Sequence, residues 1–229
     1  MNETARYFEE KYGKKELVAP MRKERAPILQ AGFPATNMIY LKHGVAVVST
    51  PDQDGGSTLL YLAEPGSFLG FEAYPLTPYT PITDHRNLVA ALTECHYLKI
   101  PRTELLDLKV TRPDLMLPIA EQGTARAMLL EQLKGMDRFS VERRLARRML
   151  EFAQIIGHPT KQGVEISGGI SQQDWADATG SSRESVNKGM LRFRSRGMIV
   201  DQRYNGRKTT LILDPEKLGQ VSQGDLIIV

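Results

Sequence analysis

The stretch SSRESVNKGMLRF (residues 181–193) carries Arg183, Glu184, Asn187 and Lys188 close together, interleaved with Val186, Met190 and Phe193. The apolar trio is spaced i, i+4, i+7, which predicts one buried face of a helix and leaves the polar residues outside. Those polar groups have a specific chemistry. An arginine can form a bidentate pair with guanine O6 and N7, and a glutamate can accept from the cytosine amino group. A carboxylate turned toward a polyanion is costly unless it finds such a donor, so Glu184 beside Arg183 points to base reading rather than phosphate attraction alone. The plainer alternative is a solvated face with an i,i+4 pair from Glu184 to Lys188.

Elements that could position this helix surround it in the sequence. Ser171 stands three residues before Asp174, close to a capping box, and opens a helix running to about Thr179 with Trp175 and Ala176 inward. Gly180 supplies a turn position that tolerates positive φ. Ser182 caps the second helix, accepting from the amide of Glu184 or Ser185. Two short helices across such a turn form a helix-turn-helix, and Gly189 costs the second about 1 kcal/mol relative to alanine. Downstream, Asn205-Gly206 between two β-prone runs is a strong hairpin signal, with Arg203, Arg207 and Lys208 at its tip. A basic hairpin wing beside the second helix suits phosphate contact. The candidate DNA-contacting set is Gln172, Ser182, Arg183, Glu184, Asn187, Lys188, Arg203, Arg207 and Lys208.

Upstream, Ser140 opens a helix with Val141, Leu145, Met149, Phe152 and Ile156 on an apolar face, ending at Gly157 and Pro159. Arg143, Arg144, Arg147 and Arg148 are expected on the opposite face, either solvated or touching phosphate. Before it, a helix is predicted over about 111–136, with Thr111 as cap, Pro113 in the first turn and a kink or later start at Pro118. Its residues Leu115, Ile119, Gln122, Arg126, Leu129, Leu133 and Met136 alternate by four and three, a heptad seam expected to join two copies of the chain. The alternative is an amphipathic helix lying on its own domain. The first hundred or so residues read as short strands broken by turns at His43-Gly44, Gly55-Gly56 and Pro65-Gly66, an antiparallel barrel or sandwich. The Pro-rich run from Tyr74 to His85 reads as an irregular loop.

Composition narrows the class. The 229 residues fit two modest domains. From Ser140 onward there are 14 basic and 10 acidic residues, against 16 and 17 before it, so the basic excess lies with the helix-turn-helix. One cysteine, Cys95, excludes an internal disulfide and a four-cysteine zinc or iron–sulfur site, and His43, His85, His96 and His158 have no metal-ligand spacing. No metal or iron–sulfur cluster is expected. With no apolar membrane-length run or secretory h-region, the simplest reading is a cytoplasmic protein. Neither metal spacing nor a nucleophile motif supports an enzyme. A protein-binding module whose winged helix contacts protein is the rival from another class.

The run ISQQDWADATGSSRESVNKGMLRFRSRGMI resembles the Crp/Fnr family of bacterial transcription regulators: a Ser-x-x-Asp helix start, Gly at the turn, then S-R-E-S-V-x-K. RLARRMLEFA before it and GSFLG in the β-rich front look similar too, and the resemblance is strongest from about Phe139 to Leu213. It implies an α+β chain: a jelly-roll β-barrel sensor like those that bind cyclic nucleotides (1–110), a long dimerisation helix (111–138) and a C-terminal winged helix-turn-helix (139–229). The implied partners are double-stranded DNA, a second copy of the chain, RNA polymerase and a small-molecule effector. Family base-reading positions fall on Arg183, Glu184 and Lys188. The last is often Arg, and lysine offers a point charge rather than a fork.

In the cyclic-AMP-binding branch a Gly-Glu pair, an Arg-Ser-Ala run and a Thr-Ser on the long helix hold the nucleotide. Here Phe71 separates Gly70 from Glu72, Arg86 is followed by Asn87-Leu88, and the Thr-Ser becomes Leu129-Leu130. The oxygen sensors' N-terminal cysteines are missing, and neither His43 in a turn nor His96 in a strand suits haem. A small organic effector other than cyclic AMP is therefore expected, in a pocket near Phe68, Glu72, Arg86 and Leu88 of the barrel and Arg126 and Leu130 of the helix. Cyclic-nucleotide and haem sensing by the same fold are the alternatives.

Overall fold

The computed structural model describes residues 2–22, 24–52, 55–74, 81, 83–136, 138–167, 169–204 and 207–227, with only the backbone of 203, 204, 207 and 208. In chain order the elements are α1 (Glu3–Tyr12), β1 (Leu17–Ala19), β2 (Pro27–Leu29), β3 (Asn37–His43), β4 (Ala46–Pro51), β5 (Ser57–Ala63), β6 (Phe68–Leu69), β7 (Leu88–Ala91), β8 (Cys95–Pro101), α2 (Arg102–Thr111), α3 (Pro113–Lys134), α4 (Val141–Ile156), β9 (Gly157–Thr160), β10 (Gly163–Ile166), α5 (Gln172–Thr179), α6 (Arg183–Ser195), β11 (Ile199–Tyr204), β12 (Arg207–Ile212) and α7 (Pro215–Gln223). They divide into two compact units, Met1–Gly55 with Leu60–Gln132, and Gly56–Leu59 with Leu133–Val229.

The first unit holds two four-stranded sheets, β1-β8-β3-β6 and β2-β7-β4-β5, the strand order of a jelly roll. Period-two alternation on β3 divides its side chains between two cores. Ile39 and Leu41 face the second sheet, in a cluster with Val48, Ala63, Val89 and Cys95. Met38 and Tyr40 face the helices, in a cluster with Phe8, Leu98, Leu105, Leu115 and Ile119. At the β3–β4 turn Gly44 has φ +83°, and a Cβ there would lie 2.1 Å from the Glu94 carbonyl oxygen, so only glycine fits.

The helical side differs from the sequence reading in four ways, the first being α2, which was not expected. α1 was not expected; Asn2 caps it, Phe8 is fully buried, and Thr4 donates to the Leu115 carbonyl at 3.0 Å. Thr111 ends α2 rather than capping α3, because the backbone breaks at Arg112 and Pro113 begins the next helix. Pro118 lies inside α3 and does not delay its start.

The expected dimer seam is also corrected. Leu115 and Ile119 are buried in the helix-side core and Leu129 packs on the inter-sheet core. Gln122 accepts from the Phe68 amide at 2.9 Å and donates to the Gly66 carbonyl at 3.0 Å. Arg126 lies on the Tyr61 ring. Leu133 is half-buried and Met136 buried. From Leu115 to Leu129 the heptad face thus packs on its own sensor unit, because a 3.5-residue repeat demands an apolar partner without saying whose. Leu117 and Met128, offset from it, are 59% and 61% exposed.

The second unit packs α4 with α5, α6 and α7 beside the sheet β11-β12-β10-β9. β11 and β12 pair in register from Ile199↔Ile212 to Tyr204↔Arg207, and the intervening Asn205-Gly206 turn lies outside the described residues. Most of the Pro-rich loop (75–80 and 82) does as well. α7 was not expected; Asp214 caps it and Leu218 and Val221 are buried. Replacing the fully buried Ile119 by alanine should lower stability by about 2–5 kcal/mol, read from the chemical-denaturation midpoint of the sensor transition; a change under about 0.5 kcal/mol, the size of an ordinary surface substitution, would contradict the packing of α3 on its own unit.

Candidate nucleic-acid interface and ligand cavity

Local chemistry sets the ends of α5 and α6. Ser171 Oγ accepts from the Asp174 amide at 3.1 Å and Asp174 Oδ2 accepts from the Ser171 amide at 2.6 Å, a complete capping box. Trp175 is buried and stacks on Phe152 of α4, ring centroids 5.0 Å apart. Gly180 closes α5 at φ +57°. Ser182 then caps α6, accepting from the Ser185 amide at 3.2 Å.

Val186, Gly189, Met190 and Phe193 form the buried face of α6. A Cβ on Gly189 would stand 3.3 Å from Leu145 Cδ2, so the glycine that weakens the isolated helix lets it approach α4 closely. Arg183, Glu184 and Lys188 are exposed and Asn187 is half-buried. Glu184 and Lys188 pair at 2.8 Å, which holds the carboxyl below its usual range. Arg183 forms no ion pair among the described residues. Gln172, at the first turn of α5, shares a small cleft with Arg183, Asp201 and Thr210. Arg203 and Lys208 are register partners near the hairpin end, with Arg207 next to them; their side chains lie outside the described residues.

The arginines of α4 do not form the expected solvent or phosphate face. Arg148 is buried and donates to the Ala178 carbonyl at 2.7 Å and to Glu151 at 2.9 Å. Arg144 donates to Ser181 Oγ at 2.8 Å. Arg147 pairs with Glu151, and Arg143 donates to the Ser222 carbonyl and lies over the Phe139 ring. These long side chains tie α4 to α5, to the helix-turn-helix turn and to α7; helical periodicity gave no sign of backbone carbonyl partners.

The sensor unit holds a cavity of about 680 Å³. Of the residues expected there, Glu72, Arg86, Arg126 and Leu130 line it. Phe68 and Leu88 do not. Phe68 is buried in the helix-side core against Phe8 and Tyr40. Leu88 is one residue out of phase: its neighbour Val89, the register partner of Val48, faces inward with it. The sequence reading missed Tyr61, Phe71 and His85, also in the wall. Alternation along β5 and β7 could have pointed to Tyr61 and Val89; nothing local marked His85. Gly123 of α3 gives the Phe71 ring room, since a Cβ there would lie 3.2 Å from it.

Both oxygens of Glu72 are engaged. Oε1 accepts from the Arg86 amide at 3.0 Å and Oε2 lies 3.4 Å from His85 Nδ1. Burial pushes the Glu72 carboxyl up, but the His85 hydrogen bond and the backbone amides outweigh it and hold it below the usual carboxylate range. Arg126 donates to Ser67 Oγ at 3.3 Å, with its guanidinium 4.3 Å from the Tyr61 ring centroid. Cys95 is buried, its thiol pushed up to about 11, which suits a core residue rather than a redox switch. Among the described residues no group of three His, Cys, Asp or Glu could hold a metal, and no helix is long and apolar enough to cross a membrane.

Residues 143–221 match the Crp-like helix-turn-helix domain. Over 200 residues, 84% of this chain and 83% of the relative, the sequence is 24% identical to the CRP-like cAMP-activated global transcriptional regulator of Mycobacterium tuberculosis. Residues 143–221 thus belong to the Crp-like helix-turn-helix domain family, and most of the chain is similar in sequence to a CRP-like transcription regulator. The fold of the chain is similar to a CRP-family regulator from Thermus thermophilus (TM-score 0.74, 21% identity, 90% of this chain and 96% of that one). It is also similar to the c-di-GMP-responsive global regulator CLP of Xanthomonas campestris (TM-score 0.73, 18% identity, 91% and 97%). At these identities the structural likeness concerns the fold alone. With its Crp-like helix-turn-helix domain the chain is a DNA-binding transcription regulator rather than an enzyme.

The Glu72 carboxyl generates a pH prediction for the sensor unit. A carboxyl whose folded pKa is depressed contributes stability above its unfolded value, about 4.3, and loses it as pH falls through the lower folded value. Thermal unfolding of the wild type should therefore weaken across that acid window more steeply than that of Glu72→Gln, and identical acid profiles would contradict the assignment.

Proposed function

We propose that the chain is a cytoplasmic, effector-responsive regulator that works as a homodimer on a near-palindromic DNA site. The observation that carries this reading is the division of α6 into a buried face and an outer face bearing Arg183, Glu184 and Lys188. Recognition helices meet base edges near their N-terminal ends, and paired helices one helical turn apart, about 34 Å, match two half-sites. Arg183 is the guanine reader and Glu184 accepts from cytosine after releasing Lys188. Gln172, Ser182, Asn187 and the wing residues Arg203, Arg207 and Lys208 add positioning contacts, and RNA polymerase is the partner through which bound protein acts. The α3 face bearing Leu117, Glu121, Thr124 and Met128 supports the homodimer, being spaced by four and three and solvent-exposed in one chain.

The domain boundaries that serve this reading are a sensor over 1–110, a dimerisation helix over 111–138 and a DNA-binding domain over 139–229. The effector is a small organic molecule in the sensor cavity. One similar protein is described as cAMP-activated and another as c-di-GMP-responsive, so this fold serves different ligands. In this chain Leu129-Leu130 replaces the Thr-Ser of the cyclic-AMP branch, Leu130 is part of the wall, and Glu72 is already engaged. These features favour an effector other than cyclic AMP.

Duplexes selected from a random pool provide the test. Arg183→Ala should weaken binding to the selected site by about 1–3 kcal/mol while sparing random duplex. Cyclic AMP should change neither affinity. Equal loss on all sequences would reduce Arg183 to a phosphate contact, and tighter binding with cyclic AMP would return the effector to the cyclic-nucleotide class.

A further inference from the structure

We propose that the effector carries an anionic group held by Arg126, with an apolar body lying against Leu29, Val48, Leu69, Val89 and Leu130. This rests on the reading of the sensor cavity as the effector site. Arg126 reaches the cavity from α3 and is half-buried. A guanidinium has five N–H donors; here one nitrogen donates to the neutral Ser67 hydroxyl and the plane rests against Tyr61. Among the described residues no carboxylate pairs with it. The carboxylate in the same wall, Glu72, is committed to His85 and the Arg86 amide.

A partly desolvated cation without a counter-charge is unfavourable, and an incoming anion removes that cost. A neutral ligand would cover Arg126 and leave the charge in a still drier site. Arg86, the other arginine of the wall, is exposed and already keeps its charge in water. The remaining wall is dominated by aliphatic and aromatic side chains, which suits an apolar body rather than a second polar group. The anionic group could be a carboxylate or a phosphate ester, since both accept from a guanidinium fork.

Calorimetric titration of the full-length protein with 1-naphthoate, 1-naphthyl phosphate and 1-naphthamide tests this. At least one anion should bind tenfold or more tightly than the amide, and the tighter one names the class. Arg126→Gln should abolish the preference, and Arg126→Lys, which keeps the charge, should retain part of it and guard against a merely misfolded glutamine variant. Equal binding of anions and amide, a preference that survives Arg126→Gln, or no binding by any of the three would overturn the proposal. Affinity for the selected duplex, measured on the same preparations, separates the two readings. Sequence-selective DNA binding without anion preference overturns the ligand class alone, and its loss in the wild type overturns the regulator reading on which it rests.

Discussion

The close approach of α6 to α4 is the constraint on which the DNA-facing surface depends. Gly189 meets Leu145 so closely that a Cβ there would stand 3.3 Å from Leu145 Cδ2, and that side chain would have to give by a few tenths of an ångström. With Val186, Met190 and Phe193 buried, the rotation of α6 about its axis is set, and with it the direction of Arg183, Glu184 and Lys188. Around this contact Glu142 pairs with Arg192, Arg144 holds Ser181, and Arg148 holds the end of α5 at Ala178. A reading surface has to be held within fractions of an ångström of its target geometry, and these clamps position it from behind.

The sensor unit solves a different problem. Its first sheet has to serve two cores, and alternation along β3 and β8 sends one set of side chains to the second sheet and the other to α1, α2 and α3. α3 closes the helix-side core with Leu115, Met116 and Ile119, then contributes Gln122 and Arg126 to polar contacts with the β6 region. One helix therefore carries both structural burial and a cavity-facing charge. The Arg126 cation and the engaged Glu72 carboxylate give that cavity a polarity that its largely apolar wall would not predict.

Legibility in the sequence followed the range of the interaction. The capping box at Ser171 and Asp174, the Gly180 turn, the Ser182 cap and the buried face of α6 were all readable, because each depends on residues a few positions apart. The strands on either side of the turns at Gly44 and Gly66 were readable for the same reason, though not that each turn carries the chain from one sheet to the other. α1 and α7 were not, because they bury only Thr4, Ala5 and Phe8, and Leu218 and Val221, too few positions to mark a helical face in the sequence. The heptad in α3 was visible, but its partner was not, and from Leu115 to Leu129 the sensor's own core occupies that face. Phe68 and Leu88 were misplaced by their facing, a distinction of one residue on a strand. The α4 arginines looked solvent-facing because a helical wheel shows direction and cannot show a guanidinium reaching a distant carbonyl.

Methylation interference at guanine N7 on a selected duplex tests the central claim most directly. If Arg183 reads guanine in the major groove, prior methylation of one guanine in each half-site should block the wild-type protein and lose its effect with Arg183→Ala. Binding that is indifferent to guanine methylation and sensitive only to phosphate ethylation would contradict the account, leaving α6 as a backbone contact without a reading role.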